Sequence, residues 1–230
     1  MLTIGLIGGM SWESTVTYYQ QLNRGIKQRL GGLHSAKIIL VSVDFAEIEQ
    51  LQHQGQWQQA GAILAEAAQS LEAAGADFFL ICTNTMHKVA DQVSASVSIP
   101  LLHIADATGA ELLAHGIKKV ALLGTRFTMQ EDFYKKRLSE SFGIDVLVPS
   151  TTEQTVLHNI IYQELCLGII EPESRQTFLH IMQNLSAQGA EGIILGCTEI
   201  GLLVKQDDTP CKLFDTTEIH VNSAIMQALQ

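Results

Sequence analysis

The chain has 230 residues, 47% of them hydrophobic and 17% charged, which suits one large or two small folded domains and excludes a disordered chain. A net charge of −10 with no basic run argues against nucleic acid or an anionic membrane as partner, and it offers an anionic substrate no long-range attraction. No apolar run approaches bilayer length, and the first basic residue is Arg24, so residues 3–8 read as a buried strand rather than a secretory leader.

Cys82, Cys166, Cys197 and Cys211 form no C-x-x-C pair, so neither a disulfide framework nor a metal site is expected, and a reducing, cytoplasmic setting fits.

In chain order, apolar runs predict strands at 3–8 and 38–44, and helical spacing over 57–74 leads to a strand at 78–83. A strand at 99–105, opened by Pro100, precedes a helix at 107–115; then come a strand at 118–124, a helix at 128–141 and a strand at 144–148. Helices at 154–167 and 172–188, strands at 192–197 and 212–215, and a helix at 217–229 complete the pattern. Alternation of this kind predicts an α/β fold with mostly parallel sheets covered by helices.

An internal repeat organises the chain. Gly75-Ala76-Asp77-Phe78-Phe79-Leu80-Ile81-Cys82-Thr83-Asn84 resembles Gly189-Ala190-Glu191-Gly192-Ile193-Ile194-Leu195-Gly196-Cys197-Thr198 at an offset of 189 − 75 = 114. Ile4-Gly5-Leu6-Ile7-Gly8 resembles Val120-Ala121-Leu122-Leu123-Gly124 at an offset of 120 − 4 = 116. Two ordered pairs at nearly one offset predict duplication into two lobes, residues 1–98 with 208–230 and residues 99–207. Sheets of this type bind ligands beyond the carboxyl ends of their strands, so the repeat sets Thr83 opposite Cys197 across a cleft. Cys82 is one residue out of register and is expected to point away from Thr83.

Cys197 ends one apolar run and starts a helical stretch, where a helix dipole would lower its thiol pKa. Asn84-Thr85 and Thr198-Glu199 occupy capping positions whose free amides suit a carboxylate, although capping alone accounts for them equally well. The Gly8-Gly9-Met10 turn departs from the G-x-G-x-x-G dinucleotide spacing, and Asp44 lies too far along to serve as its ribose ligand. His87, three residues past Asn84, reads either as a buried helical residue or as a catalytic one.

These residues resemble the aspartate/glutamate racemase family, in its aspartate-racemase branch. The resemblance is carried by Gly5-Leu6-Ile7-Gly8-Gly9-Met10, Asn84-Thr85-x-His87, Leu123-Gly124-Thr125-x-x-Thr128-Met129 and Gly196-Cys197-Thr198-Glu199, in family order from about residue 3 to 220. It implies two pseudo-symmetric Rossmann-like lobes with the active site between them, no cofactor, a small amino-acid substrate and a homodimer. It also implies that one group removes the α-proton while another protonates the far face. Cys197 matches the cysteine acting on the L-isomer, and Thr83 stands where a second cysteine would be. Met10, Gln52, Asn84, Thr85, Thr128, Thr198 and Glu199 would contact the substrate.

Two departures follow. Threonine is a weaker base than a thiol, which leaves open Cys82 as the second group, a one-cysteine decarboxylase or other isomerase of the superfamily, and a non-catalytic ligand-binding module. Residues 38–87 and 138–174 contain no Lys or Arg, so the regions expected to hold a side-chain carboxylate offer Gln52 and Glu164, with Arg126 the only nearby cation. Breadth beyond the acidic amino acids is therefore expected.

Overall fold

The computed structural model describes residues 1–230. Strand β1 (Ile4–Gly8) leads into helix α1 (Trp12–Leu30), followed by β2 (Ile38–Ser42), α2 (Phe45–His53), α3 (Trp57–Ala73) and β3 (Phe78–Ile81). A 3₁₀ turn at Thr85–Val89 joins α4 (Ala90–Ser94), and α5 (Ile104–Ala114) precedes β4 (Lys119–Gly124). Next come α6 (Arg126–Gln130), α7 (Asp132–Phe142), β5 (Asp145–Leu147), α8 (Thr151–Gln163) and α9 (Pro172–Ala187). The chain ends with β6 (Ile193–Gly196), α10 (Ile200–Leu203), β7 (Leu213–Asp215) and α11 (Thr216–Ala228).

Two compact units result, residues 1–104 with 220–230 and residues 105–219. These limits differ from the expected 98/99 and 207/208. β7, which the sequence reading gave to the first lobe, pairs in parallel with β6 of the second unit. The expected strand at 99–105 shrinks to a single bridge, Phe79 to Leu101, because the chain turns into α5 at Ile104.

The first unit holds a parallel sheet of order β2-β1-β3, and the second a parallel sheet of order β5-β4-β6-β7. Register carries the duplication into hydrogen bonding: Gly5 pairs with Phe79 and Ala121 with Ile193, while Ile7 pairs with Ile81 and Leu123 with Leu195.

The central strands β1, β3, β4 and β6 are buried on both faces, so they are nearly continuous apolar runs. In the first unit Ile4, Leu6, Phe78, Leu80 and Cys82 pack on Tyr18, Leu22 and Ile26 of α1 and on Val221, Ala224 and Ile225 of α11. The opposite face packs Ile7, Phe79 and Ile81 against Ile48, Leu64, Leu71 and Met86. In the second, Ala121, Leu123, Ile193, Leu195 and Cys197 meet Leu157, Phe178, Ile181 and Leu185 of α8 and α9.

Candidate active site

In the second unit, β4 and β6 approach so closely at their ends that side chains are excluded. A Cβ on Gly124 would stand 2.7 Å from the Gly196 carbonyl oxygen, and one on Gly196 would stand 2.8 Å from that of Leu123. Cys197 therefore leaves the sheet at a fixed point, 8% exposed, and its carbonyl accepts the Ile200 amide at the start of α10. The thiol donates to Glu199 Oε2 at 3.0 Å, and Thr198 Oγ1 donates to the same oxygen at 2.8 Å. Glu199 is 2% exposed, so this carboxylate is almost wholly withdrawn from water.

The electrostatics reverse the sequence expectation of a dipole-lowered thiol. Burial first, and the charge of Glu199 second, push the Cys197 thiol well above its ordinary value. α10 is a single turn of four residues, too short for a dipole that could offset those effects. Cys197 is held as a desolvated, protonated thiol hydrogen-bonded to the Glu199 carboxylate.

Thr128 lies on α6 and is fully buried, its Oγ1 3.2 Å from Thr125 Oγ1, which also accepts the Thr128 amide and caps the helix. Arg126 opens α6 with its guanidinium 5.8 Å from the Phe127 ring centre, and its amide donates to His158 Nδ1. Glu164 is engaged elsewhere, accepting from Ser174 Oγ at 2.6 Å where α8 meets α9.

In the first unit, β3 ends at Ile81, just before Cys82 and Thr83. Cys82 is wholly buried in the α1 and α11 core, where burial drives its thiol far up, whereas Thr83 is half-buried. Met10 and Gln52 are both buried; Met10 packs in the same cluster as Met86, and Gln52 Nε2 donates to Met86 Sδ at 3.1 Å. Asn84 and Thr85 are buried where the 3₁₀ turn begins, and the Asn84 side chain does not cap it. The expected cap of a full helix is thus a tighter turn.

Sequence reasoning missed a buried histidine cluster behind Thr83. His87, His103 and His220 are 3%, 6% and 0% exposed, with the His87 ring centre 4.5 Å from His103 and 6.1 Å from His220. Scattered at 87, 103 and 220, they carry no spacing signal.

A family model for Asp/Glu/hydantoin racemase matches residues 7–224. The chain belongs to that family. Among solved structures, this racemase resembles a Yersinia pestis protein assigned to the Asp/Glu racemases at 55% identity, covering 100% of both chains with a TM-score of 0.92. An aspartate racemase homologue from Pyrococcus horikoshii OT3 is 37% identical, again over 100% of both chains, with a TM-score of 0.85. The broad specificity amino-acid racemase RacX of Bacillus subtilis is 28% identical over 163 residues, 70% of this racemase and 68% of RacX. Racemases are isomerases, and the family places this chain among them. No helix is long and apolar enough to cross a membrane.

Proposed function

We propose that the chain is an amino-acid racemase working without a cofactor, in which Cys197 acts on the L-isomer and Thr83 on the opposite face of the α-carbon. The observation that carries this reading is the buried Cys197 thiol at 3.0 Å from Glu199 Oε2. An α-proton is weakly acidic, so its removal calls for a dry, positioned base. Passing the thiol proton to Glu199 leaves a thiolate. That thiolate takes the α-proton, and the carbanion's electron pair accepts a proton from the Thr83 hydroxyl on the other face. A proton returned to the Thr83 oxygen and one released from Glu199 to solvent restore the enzyme. Glu199, expected from the sequence to touch substrate, acts in this scheme through Cys197.

The α-carboxylate is held by the amides and side chains at Asn84-Thr85 and Thr198, with Met10, Gln52 and Thr128 lining the side-chain end. Similarity to RacX supports substrates beyond aspartate and glutamate. None of the four cysteines is in a disulfide, which suits a reducing, cytoplasmic setting. The assembly is a homodimer closed by the free edge of β2.

The test is solvent-deuterium exchange at Cα, followed by NMR over a panel of L- and D-amino acids including neutral ones. Deuterium should enter the remaining L-isomer faster than the D-isomer appears, because reprotonation from Thr83 is the slower step. Exchange confined to the acidic substrates overturns the breadth. Carbon dioxide release in place of inversion makes the enzyme a decarboxylase.

A further inference from the structure

We propose that His87 is a positioning residue, fixing the Thr83–Asn84 peptide plane and through it the direction of the Thr83 hydroxyl. The inference rests on Thr83 being the far-face proton donor.

The local hydrogen bonding shows why a histidine stands here. In an α-helix the amide of residue 87 would bond the carbonyl of residue 83. Because this turn is 3₁₀, the His87 amide goes to the Asn84 carbonyl at 3.1 Å, one residue nearer. The Thr83 carbonyl, just past the end of β3, is taken instead by the ring of the same residue, with His87 Nδ1 at 2.8 Å. One residue thus holds two successive carbonyls, one through its main chain and one through its side chain.

The protonation state follows from the partners. A carbonyl oxygen only accepts, so Nδ1 carries the hydrogen; His87 Nε2 accepts the Ile104 amide at 3.2 Å, so it carries none. The ring is therefore the neutral Nδ1–H tautomer, a bridge from the first residue of α5 to the Thr83 carbonyl. His103 packs edge-on against it with an interplanar angle of 62°, which fixes the ring plane. Turning the 83–84 peptide would swing the Thr83 side chain on one side and the Asn84 amide on the other. Those are the proposed proton donor and a proposed carboxylate anchor, so one ring sets their mutual geometry.

The two ends of the bridge separate by substitution. Asparagine reproduces a donor near Nδ1, and glutamine reproduces an acceptor near Nε2. In His87→Gln, inversion of an L-amino acid should fall by roughly ten- to a hundredfold, the scale of a misplacement near 1 Å. Deuterium exchange into the L-substrate, read at saturating substrate, uses Cys197 and Glu199 but not the Thr83 hydroxyl and should fall less, so the ratio of exchange to inversion rises. His87→Asn, which keeps the donor to Thr83, should recover that ratio. A parallel fall of exchange and inversion in both variants overturns the inference. Long-range ¹H–¹⁵N NMR of the wild-type protein gives a readout that does not depend on any variant folding. It should show His87 as the neutral Nδ1–H form, and an Nε2–H form overturns the bridge. Thr83→Val is measured beside them. If it inverts like wild type, the Thr83 assignment fails; if it loses inversion while His87→Gln inverts at the wild-type rate, only the positioning role fails.

Discussion

Glu199 Oε2 accepts from both Cys197 and Thr198, and the proposed chemistry turns on that shared oxygen. Its charge raises the thiol's pKa while its lone pair offers the thiol proton a destination, so removing the charge should separate the two effects. In Glu199→Gln the thiol should ionise at lower pH, because the carboxylate's coulombic contribution is gone and only burial and the neighbouring Cys166 still oppose the thiolate. Turnover should nevertheless fall, on the order of 10²-fold, for want of a proton acceptor. The pH profile of Cys197 alkylation, set beside steady-state rates, checks both; an alkylation profile that stays put or moves upward removes Glu199 from the mechanism. Cys197→Ser should cost on the order of 10²–10⁴-fold in turnover with melting little changed, since a base is lost and little volume with it. Wild-type rates in that variant would displace the whole site. The repeat singled out Cys197, yet the electrostatics of its thiol were read with the wrong sign. A strand end followed by Thr-Glu looks like a helix start, and only the structure shows a four-residue turn next to the buried Cys197, Thr198 and Glu199.

Elements that are apolar throughout were legible, because strands buried on both faces leave unbroken runs of Ile, Leu, Val and Phe. α1 and α2 escaped detection for the converse reason. α1 buries Ser14, Thr15 and Tyr18 beside Leu22 and Ile26, so its inward stripe is partly polar and offers few apolar residues to mark it. The expected helix at 128–141 is two helices, since Glu131 takes an extended conformation between α6 and α7. α11 illustrates a consequence of burial that spacing cannot convey. His220 lies wholly inside: its Nδ1 accepts from Tyr18 Oη at 2.9 Å, and its Nε2 donates to the Leu102 carbonyl at 2.8 Å. Burial lowers its pKa from 6.5 to about 4. As pH falls between those values the unfolded chain binds a proton that the folded chain refuses, so stability drops through this window and is fully present above it. The most that this group contributes is roughly 3 kcal/mol. Denaturation midpoints measured across the window should fall less steeply for His220→Gln than for wild type. Equal slopes would mean that His220 is not buried neutral.

At the scale of the whole molecule, the duplication seen in the residues at offset 114 reappears as matching strand register in two separate sheets, and that correspondence was fully legible. The proposed homodimer turns on which strand edge stays open. β2 is the outer strand of the first sheet, and its bonds to β1 use alternate residues, as the Lys37 carbonyl and the Val43 amide show. The main-chain groups of Ile38, Leu40 and Ser42 therefore point outward. Their numbers are symmetric about Leu40, so a second copy can pair antiparallel across a two-fold axis, Leu40 with Leu40 and Ile38 with Ser42. Beside this edge, α1 exposes Trp12, Val16 and Tyr19 at 64%, 43% and 53%, and Asn23 on the same flank accepts the Ala36 amide just before β2. Residues 38–43 carry no charge, which matters for a chain of net charge −10 meeting its own copy. Natural proteins seldom leave such an edge bare. The wild-type protein should sediment as a dimer at micromolar concentration. Leu40→Pro removes the central outward donor without touching the β1 ladder, and Tyr19→Lys places a charge beside the edge. Each should shift the sedimentation equilibrium to monomer while melting and the exchange of L-substrate deuterium persist. A dimer that survives both substitutions lies on another face, and a monomeric wild type ends the proposal.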